Sequence, residues 1–180
     1  MASKTIPYAP LRIVVDTREQ RPYQFEKYDV EAIRHTLKTG DYSLAGYEDR
    51  VAFERKSLDD LIGCLTTGRD RFERELARAK GLDLFAVIVE GTMQEVREGR
   101  YRSRINPHAA LQSIIAFQVR YGTQFVWAGS RANAEYATYW MLEKFKREQE
   151  SAKGDTPPAE NVRASGESQA PKRGRAPRAN

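Results

Sequence analysis

The chain has 180 residues, which is one domain, or one domain and a tail, and too little for two full-sized cores. Its net charge of +5 suits a polyanionic partner without proving one, and a 40% hydrophobic content suffices for a single core. No apolar run approaches the ~18 residues of a membrane span and no signal peptide is visible. A soluble, intracellular protein is expected, cytoplasmic or nucleoid-associated in a microbe.

Residues 1–9 read as a loose lead-in. Leu11–Asp16 is a short apolar strand that ends abruptly in Asp16, Arg18 and Glu19. Residues 20–23 form a loop with Pro22, and residues 30–38, including His35, show helical spacing. Residues 41–45 and 51–56 read as strands, joined by a turn that carries Gly46 and three charges. So short a connection pairs them antiparallel. Folding this hairpin places Asp41 near Glu54 and Arg55. Strand alternation then sends Val51, Phe53 and Arg55 to one face, and Ala52, Glu54 and Lys56 to the other.

Ser57 is the expected N-cap of a helix over residues 57–66, with Asp59 and Asp60 suiting the positive end of its dipole. Capping accounts for Asp59, whereas Asp60 is balanced between capping and the site. Cys64, the only cysteine, excludes an internal disulfide and reads as a buried small hydrophobe among Leu61, Ile62 and Leu65. Residues 69–80 form a second helix, with Phe72, Leu76 and Ala79 inward and Arg69, Arg71, Arg74, Arg78 and Lys80 elsewhere. Glu73 and Glu75 dilute that charge and favour a solvated face. Arg69 and Arg71, nearest the hairpin, are the two expected to meet phosphate.

Residues 85–90 are a continuous apolar run, as in a central strand covered on both faces. A short helix over 92–98 leads to a loop with Arg100, Tyr101, Arg102 and Arg104. It could grip a DNA backbone and stack on a base, or be merely solvated. Arg102 and Arg104 are the expected contacts. Pro107 opens a helix whose apolar side is read as Leu111, Ile114, Ile115 and Val119. His35 and His108 lack any partner at zinc-ligand spacing and read as surface or structural residues. Residues 124–128 are a strand and 132–148 a final helix. The aromatics and Met141 of that helix exceed one core-facing stripe, which suggests a homodimer surface beside simple burial. Residues 151–180 have few apolar groups, no aromatics and several prolines, and are expected to be disordered. Their basic end, from Lys172 to Arg178, could add nonspecific DNA affinity, dock a protein or be inert.

The hairpin carries the chemistry. Two carboxylates and a lysine on neighbouring strands can hold a hard ion such as Mg²⁺ beside a phosphate. Lys56 could orient or deprotonate a water, or hold a phosphate oxygen as a point charge. Asp16 or Glu19 could join the cluster from the neighbouring strand. The Glu-x-Lys spacing alone matches by chance too readily to decide.

Three linked motifs decide more. Asp16-Thr-Arg18-Glu19, then Gly40-Asp41, then Glu54-Arg55-Lys56 with Asp60 four residues on, resemble in order the pattern of the XPF-type nucleases. These are structure-specific DNA endonucleases of repair and recombination, within the restriction-endonuclease-like superfamily. Gly68-Arg69-Asp70-Arg71-Phe72 is similar to the family's basic segment. The resemblance spans roughly residues 10–145 by these motifs. It implies an α/β fold, a mixed central sheet flanked by helices, in a nuclease domain over residues 8–150. It implies a Mg²⁺- or Mn²⁺-dependent endonuclease acting on branched, flap or junction DNA. Asp41 and Glu54 would be metal ligands, with the Arg55 backbone carbonyl as a third. Lys56 would position water. Asp16, Glu19 and Asp60 would shape the cluster or a second metal site, with Asp16 among the metal candidates. Arg55 would contact phosphate or brace the cluster, and Arg18 is a weaker candidate for that role. Many members continue into paired helix-hairpin-helix motifs. None stands in these residues, so the resemblance is to the small stand-alone members, with a homodimer or an unidentified protein as partner. The rivals are a silent DNA-binding scaffold of this fold, and a small nucleic-acid-binding module whose acids only cap helices.

Overall fold

The computed structural model describes residues 9–154 and arranges them around a six-stranded sheet. In chain order the elements are β1 (Leu11–Asp16), β2 (Val30–His35), β3 (Tyr42–Leu44), β4 (Val51–Lys56), α1 (Leu58–Leu65), α2 (Arg69–Ala79), β5 (Leu84–Val89), α3 (Met93–Arg97), α4 (Pro107–Tyr121), β6 (Gln124–Trp127) and α5 (Arg131–Gly154). The strand order is β2-β1-β3-β4-β5-β6. β3 is antiparallel to both its neighbours, and the other pairs are parallel. β1, β4, β5 and β6 therefore end at one edge of the sheet, and β3 begins there. This is the mixed α/β sheet flanked by helices that the sequence predicts.

Alternation along the strands builds a core on each face. Ala52, Val87 and Val89 face α1, α2, α3 and α4. Val51, Phe53, Ala86 and Ile88, one residue out of phase, join Ile13 and Val15 under α5 and the segment holding Tyr23 and Phe25. β5 is covered on both sides, as its unbroken apolar run requires. The predicted hairpin forms, with Tyr42 opposite Phe53. Local signals set the helix starts. The Ser57 hydroxyl accepts the Asp60 N–H at 3.2 Å and donates to its carboxylate at 2.6 Å. Asn106 caps α4, with Pro107 in its first turn. No helix among the described residues is long and apolar enough to cross a membrane.

Three expectations are corrected. Residues 30–35 form β2, not a helix. Val30 and Ile33 stand three apart and mimic a helical stripe, but β2 is a half-covered edge strand whose backbone pairs with β1 from Leu11↔Val30 to Asp16↔His35. β2 also carries Arg34 to the carbonyls of Thr17 and Glu19, 3.1 Å from each. On α4 the buried side is Ala110, Ile114 and Phe117, while Ile115 and Val119 are exposed. Phe117 sets this phase, because its ring packs edge-on against Phe72 at 5.8 Å. On α5, Ala134, Leu142 and Phe145 point inward, and Tyr136 is exposed. Of the expected tail, positions 151–154 continue α5, and the rest lies outside the described residues.

Gly40 turns the chain into β3 with φ +81°, and an added Cβ would lie 3.0 Å from both the Ala52 Cβ and the Phe53 carbonyl oxygen. Gly40→Ala should therefore destabilise the fold by about 1–3 kcal/mol. Urea unfolding measures this, and an unchanged midpoint would show that the turn tolerates a side chain.

Candidate active site

The site lies at the edge where β1 and β4 end and β3 begins, the usual place for ligands in open α/β sheets. Asp41 precedes β3 and is held by its backbone on both sides. Its N–H donates to the Phe53 carbonyl at 2.7 Å, and its carbonyl accepts the Asp16 N–H at 2.8 Å. Its side chain then accepts the Arg55 N–H at 2.8 Å. A strand residue's N–H and C=O point the same way, so the Arg55 carbonyl also faces β3, beyond the last β3–β4 ladder pair. Alternation puts Glu54 and Lys56 together on the α1 and α2 side, where the Lys56 ammonium bonds the Glu54 carboxylate. All four residues line a cleft of about 630 Å³, together with Arg18, Glu19, Asp60 and Arg71 among others.

The charges in this cleft are under strain. Burial pushes Asp41 up to about 6, against the Arg55 N–H and the Lys56 charge. Burial raises Glu54 well above the usual carboxylate range, Lys56 opposes this, and Asp41 adds to it. Burial works against the Lys56 ammonium, but the adjoining Glu54 more than offsets it and holds the lysine above its ordinary value. Lys56 is thus a cation here, better suited to holding a phosphate oxygen or orienting water than to removing a proton. Burial likewise raises the Cys64 thiol.

The donor set suits a hard ion. Two carboxylates and a carbonyl are oxygen ligands, and Mg²⁺ keeps several waters beside so few protein groups. Burial, more than any missing partner, raises the proton affinity of both carboxylates, so an ion would compete with protons there. Among the described residues no group of three or more His, Cys, Asp or Glu side chains is placed to hold an ion, so a closed all-protein cage is not built.

The other predicted residues divide sharply. Asp16 is buried, and its oxygens accept from the Arg18 N–H, Nε and Nη2 and from the Leu37 N–H, at 2.6–3.0 Å. Burial acts against its charge, but the Arg18 and Leu37 donors outweigh it and hold its carboxyl below the ordinary range. Its lone pairs serve these donors, not the cleft, so Asp16 braces the end of β1 where metal ligation was expected. Arg18 is held by Asp16 and the Leu37 carbonyl and still reaches the cleft wall. Glu19 accepts the Arg21 N–H and faces the Arg55 guanidinium at 3.5 Å. Arg55 turns that guanidinium away from the cleft into a pair with Glu90, so it braces and does not reach phosphate. Asp60 lines the cleft while engaged with Ser57.

Arg69 pairs with Glu73, donates to Ser113 and lies over the Phe117 ring at 4.8 Å. It ties α2 to α4, whereas Arg71 is exposed at the cleft. Tyr101, half-buried, packs on the core and donates to the Ile105 carbonyl. Arg102 is exposed, and its N–H and guanidinium meet Asp59 at 3.0 and 3.3 Å. Asp59 therefore anchors the arginine loop, a role that capping logic does not foresee. Arg104 is exposed. Sequence reasoning also missed Gln20 and Arg21 in the cleft wall, though they directly follow Glu19. Glu90 carried a readable signal, an acid at the end of the strand beside β4.

A folded-state pKa of about 6 for Asp41, against an ordinary 3.8, means the metal-free native state binds its proton more tightly than the unfolded chain. That stabilisation is complete below the unfolded value and is lost as pH rises through about 6. Asn cannot titrate, so the stability of wild type relative to Asp41→Asn should fall between about pH 4 and pH 7. Urea unfolding of both proteins across that range, in chelator, tests this. A flat difference would mean that Asp41 is not perturbed.

Comparison with known proteins agrees with this geometry. The ERCC4 domain family matches residues 15–138, a stretch that contains Asp16, Asp41, Glu54 and Lys56. A Methanocaldococcus jannaschii protein named as an ATP-dependent RNA helicase is 26% identical over 144 residues. Those residues are 80% of this chain, which spans only 16% of the length of that curated relative. XPF from Aeropyrum pernix shares the fold with a TM-score of 0.62 and 24% identity, over 79% of this chain and 69% of that one. The structure of Aeropyrum pernix XPF in complex with DNA gives a TM-score of 0.57 and 26% identity, over 79% and 66%. With the motif order, the sheet topology and this match in agreement, the chain belongs to the ERCC4 domain family and shares the fold of Aeropyrum pernix XPF.

Proposed function

We propose that this domain is a Mg²⁺- or Mn²⁺-dependent endodeoxyribonuclease that hydrolyses phosphodiester bonds in branched, flap or junction DNA, in repair, recombination or replication. The observation that carries the reading is the pairing of Asp41 and Glu54 beside the Lys56 ammonium in one cleft, where burial raises the proton affinity of both carboxylates. The Aeropyrum pernix relative captured with DNA supports a DNA substrate.

Asp41, Glu54 and the Arg55 carbonyl would hold the ion. Bound there, the ion supplies Lewis-acid stabilisation of the phosphate and a more acidic water. The chain's own residues do the rest. The Arg55 N–H fixes one Asp41 oxygen and leaves the other for the cleft. The Lys56 ammonium is positioned to exchange Glu54 for a non-bridging phosphate oxygen as the backbone enters. Arg18 and Arg71 on the cleft wall, and the exposed Arg102 and Arg104, would hold flanking phosphates. Glu19 and Asp60 shape the rim. A homodimer through α5 belongs to the same proposal. Tyr136 is exposed there, and it lines an apolar groove with the half-buried Trp140 and Met141. An unidentified protein is the other candidate for that face.

End-labelled flap, fork and plain duplex DNA, incubated with Mg²⁺, Mn²⁺ or chelator, tests the reading. Metal-dependent cutting of branched DNA is expected, reduced about 10²- to 10³-fold by Lys56→Ala, which removes an electrostatic donor, and at least as strongly by Asp41→Asn, with DNA binding retained. Undiminished cutting by either variant would sink the mechanism. Binding without cutting under every metal condition would favour the silent scaffold.

A further inference from the structure

Behind the cleft, on the opposite face of the sheet, a chain of charged groups starts at the buried Arg55 and reaches the partly exposed Arg131. β4 and β5 run parallel with Arg55 opposite Ile88, so Arg55 and Glu90 fall on one face as diagonal neighbours. Glu90 takes the Arg55 guanidinium through both carboxylate oxygens, at 2.7 and 3.0 Å. Glu19 stands 3.5 Å away on another side of it. The Arg55, Glu90 and Glu19 side chains are 9%, 11% and 8% exposed, so solvent does not screen the pairs. The Glu90 oxygen that accepts the Arg55 Nε also accepts Arg131 Nη1 at 3.0 Å. Arg131, the first residue of α5, extends Nη2 to the carbonyls of Arg21 and Pro22, at 2.6 and 2.9 Å. One turn later, Glu135 accepts the Phe25 N–H. The Tyr23 ring fills the space between, stacked on Tyr42 at 4.9 Å with Arg131 at 4.9 Å and Arg55 at 6.0 Å from its centroid.

We propose that Glu90 and Arg131 are positioning residues of the nuclease site, acting through Arg55. Neither lines the cleft. They anchor the Arg55 side chain from behind, and the Arg55 main chain carries both the N–H that orients Asp41 and the carbonyl aimed past the end of β3. Arg131 fixes the Arg21–Pro22 segment at the same time, and so the cleft wall formed by Gln20 and Arg21. The first turn of α5, the edge loop and the metal-ligand strand are thereby coupled through one carboxylate. This inference rests on the reading of Asp41 and the Arg55 carbonyl as ion ligands.

The test uses the full chain and the variants Glu90→Gln, Arg131→Ala, Arg131→Lys and the Glu90→Gln/Arg131→Ala double. Mn²⁺ affinity without DNA is measured by titration, alongside cleavage rate at saturating DNA, DNA affinity and unfolding midpoint. Glu90→Gln keeps the shape and removes the charge. It should weaken Mn²⁺ binding and slow cleavage by about 10- to 100-fold, as loss of groups supporting metal ligands does. DNA affinity should be unchanged. Arg131→Ala should show the same kind of defect, smaller in size. Arg131→Lys should recover part of it, because lysine restores the charge but not the forked reach to two carbonyls. In Mn²⁺ affinity the double variant should be no worse than Glu90→Gln, since Arg131 reaches the metal-ligand strand only through Glu90, its bonds to Arg21 and Pro22 serving the cleft wall. A lowered unfolding midpoint with wild-type Mn²⁺ affinity in the Glu90 and Arg131 variants would show a structural role only and overturn the proposal. If Glu90→Gln fails to fold, Mn²⁺ affinity in the two single Arg131 variants decides between the same two outcomes. Wild type that neither binds Mn²⁺ nor cuts would fell the site reading and this proposal together. Loss on Asp41→Asn alone would fell only this one.

Discussion

The short antiparallel strand β3, wedged between β1 and β4, is the constraint on which the site depends. β3 contributes three residues and begins where the parallel strands end. The bonds from Asp41 N–H to Phe53 and from Arg55 N–H to the Asp41 carboxylate then place an acid from one strand beside the acid of the next. A longer β3 would consume the outward-facing N–H and C=O of Arg55 in ladder bonds. Starting the strand late, at Tyr42, leaves both for the carboxylate and the cleft. Gly40 makes the turn into this late start possible by adopting a backbone conformation that side chains resist.

That arrangement is electrostatically uncomfortable. Asp41 and Glu54 are close, poorly solvated, and relieved only in part by one lysine. A core chosen for stability alone would not gather them. Gathering like charges where solvent is scarce stores free energy that an arriving cation or protons can release, a usual property of functional sites. On the far face of the sheet Arg55 pairs with Glu90, which Arg131 also meets, while Glu19 approaches Arg55 from the cleft rim. The same strand thus carries an under-neutralised face toward the cleft and a well-paired face away from it, separated by a single step of alternation.

The basic residues divide by partner, not by position in sequence. Arg55 and Arg69 sit next to the predicted hairpin or helix start, yet each is engaged by acids and aromatic rings inside the fold. Arg71 and Arg104 remain exposed, and Arg102 stays exposed while Asp59 fixes its backbone. The number of basic residues therefore overstates the cations free to meet a polyanion, because several of them pair with acids within the domain.

The hairpin, the faces of β4, the capping of α1 and the two-sided burial of β5 were legible in the sequence, because each follows from a local rule of alternation, turn composition or capping within a few residues. The motif trio and the family it marks were legible for the same reason: the groups lie in order along one stretch of chain. What the tertiary structure decided is which lone pairs and cations are spent. Asp16 looked like a ligand until Leu37 and Arg18 filled it. Residues 30–35 looked helical until β1 claimed their backbone. The bond from Arg131 to Pro22 joins groups 109 residues apart, and that from Arg131 to Glu90 spans 41. No periodicity or spacing encodes such partners, since they are set by the order in which strands assemble and by the charge each buried group must find.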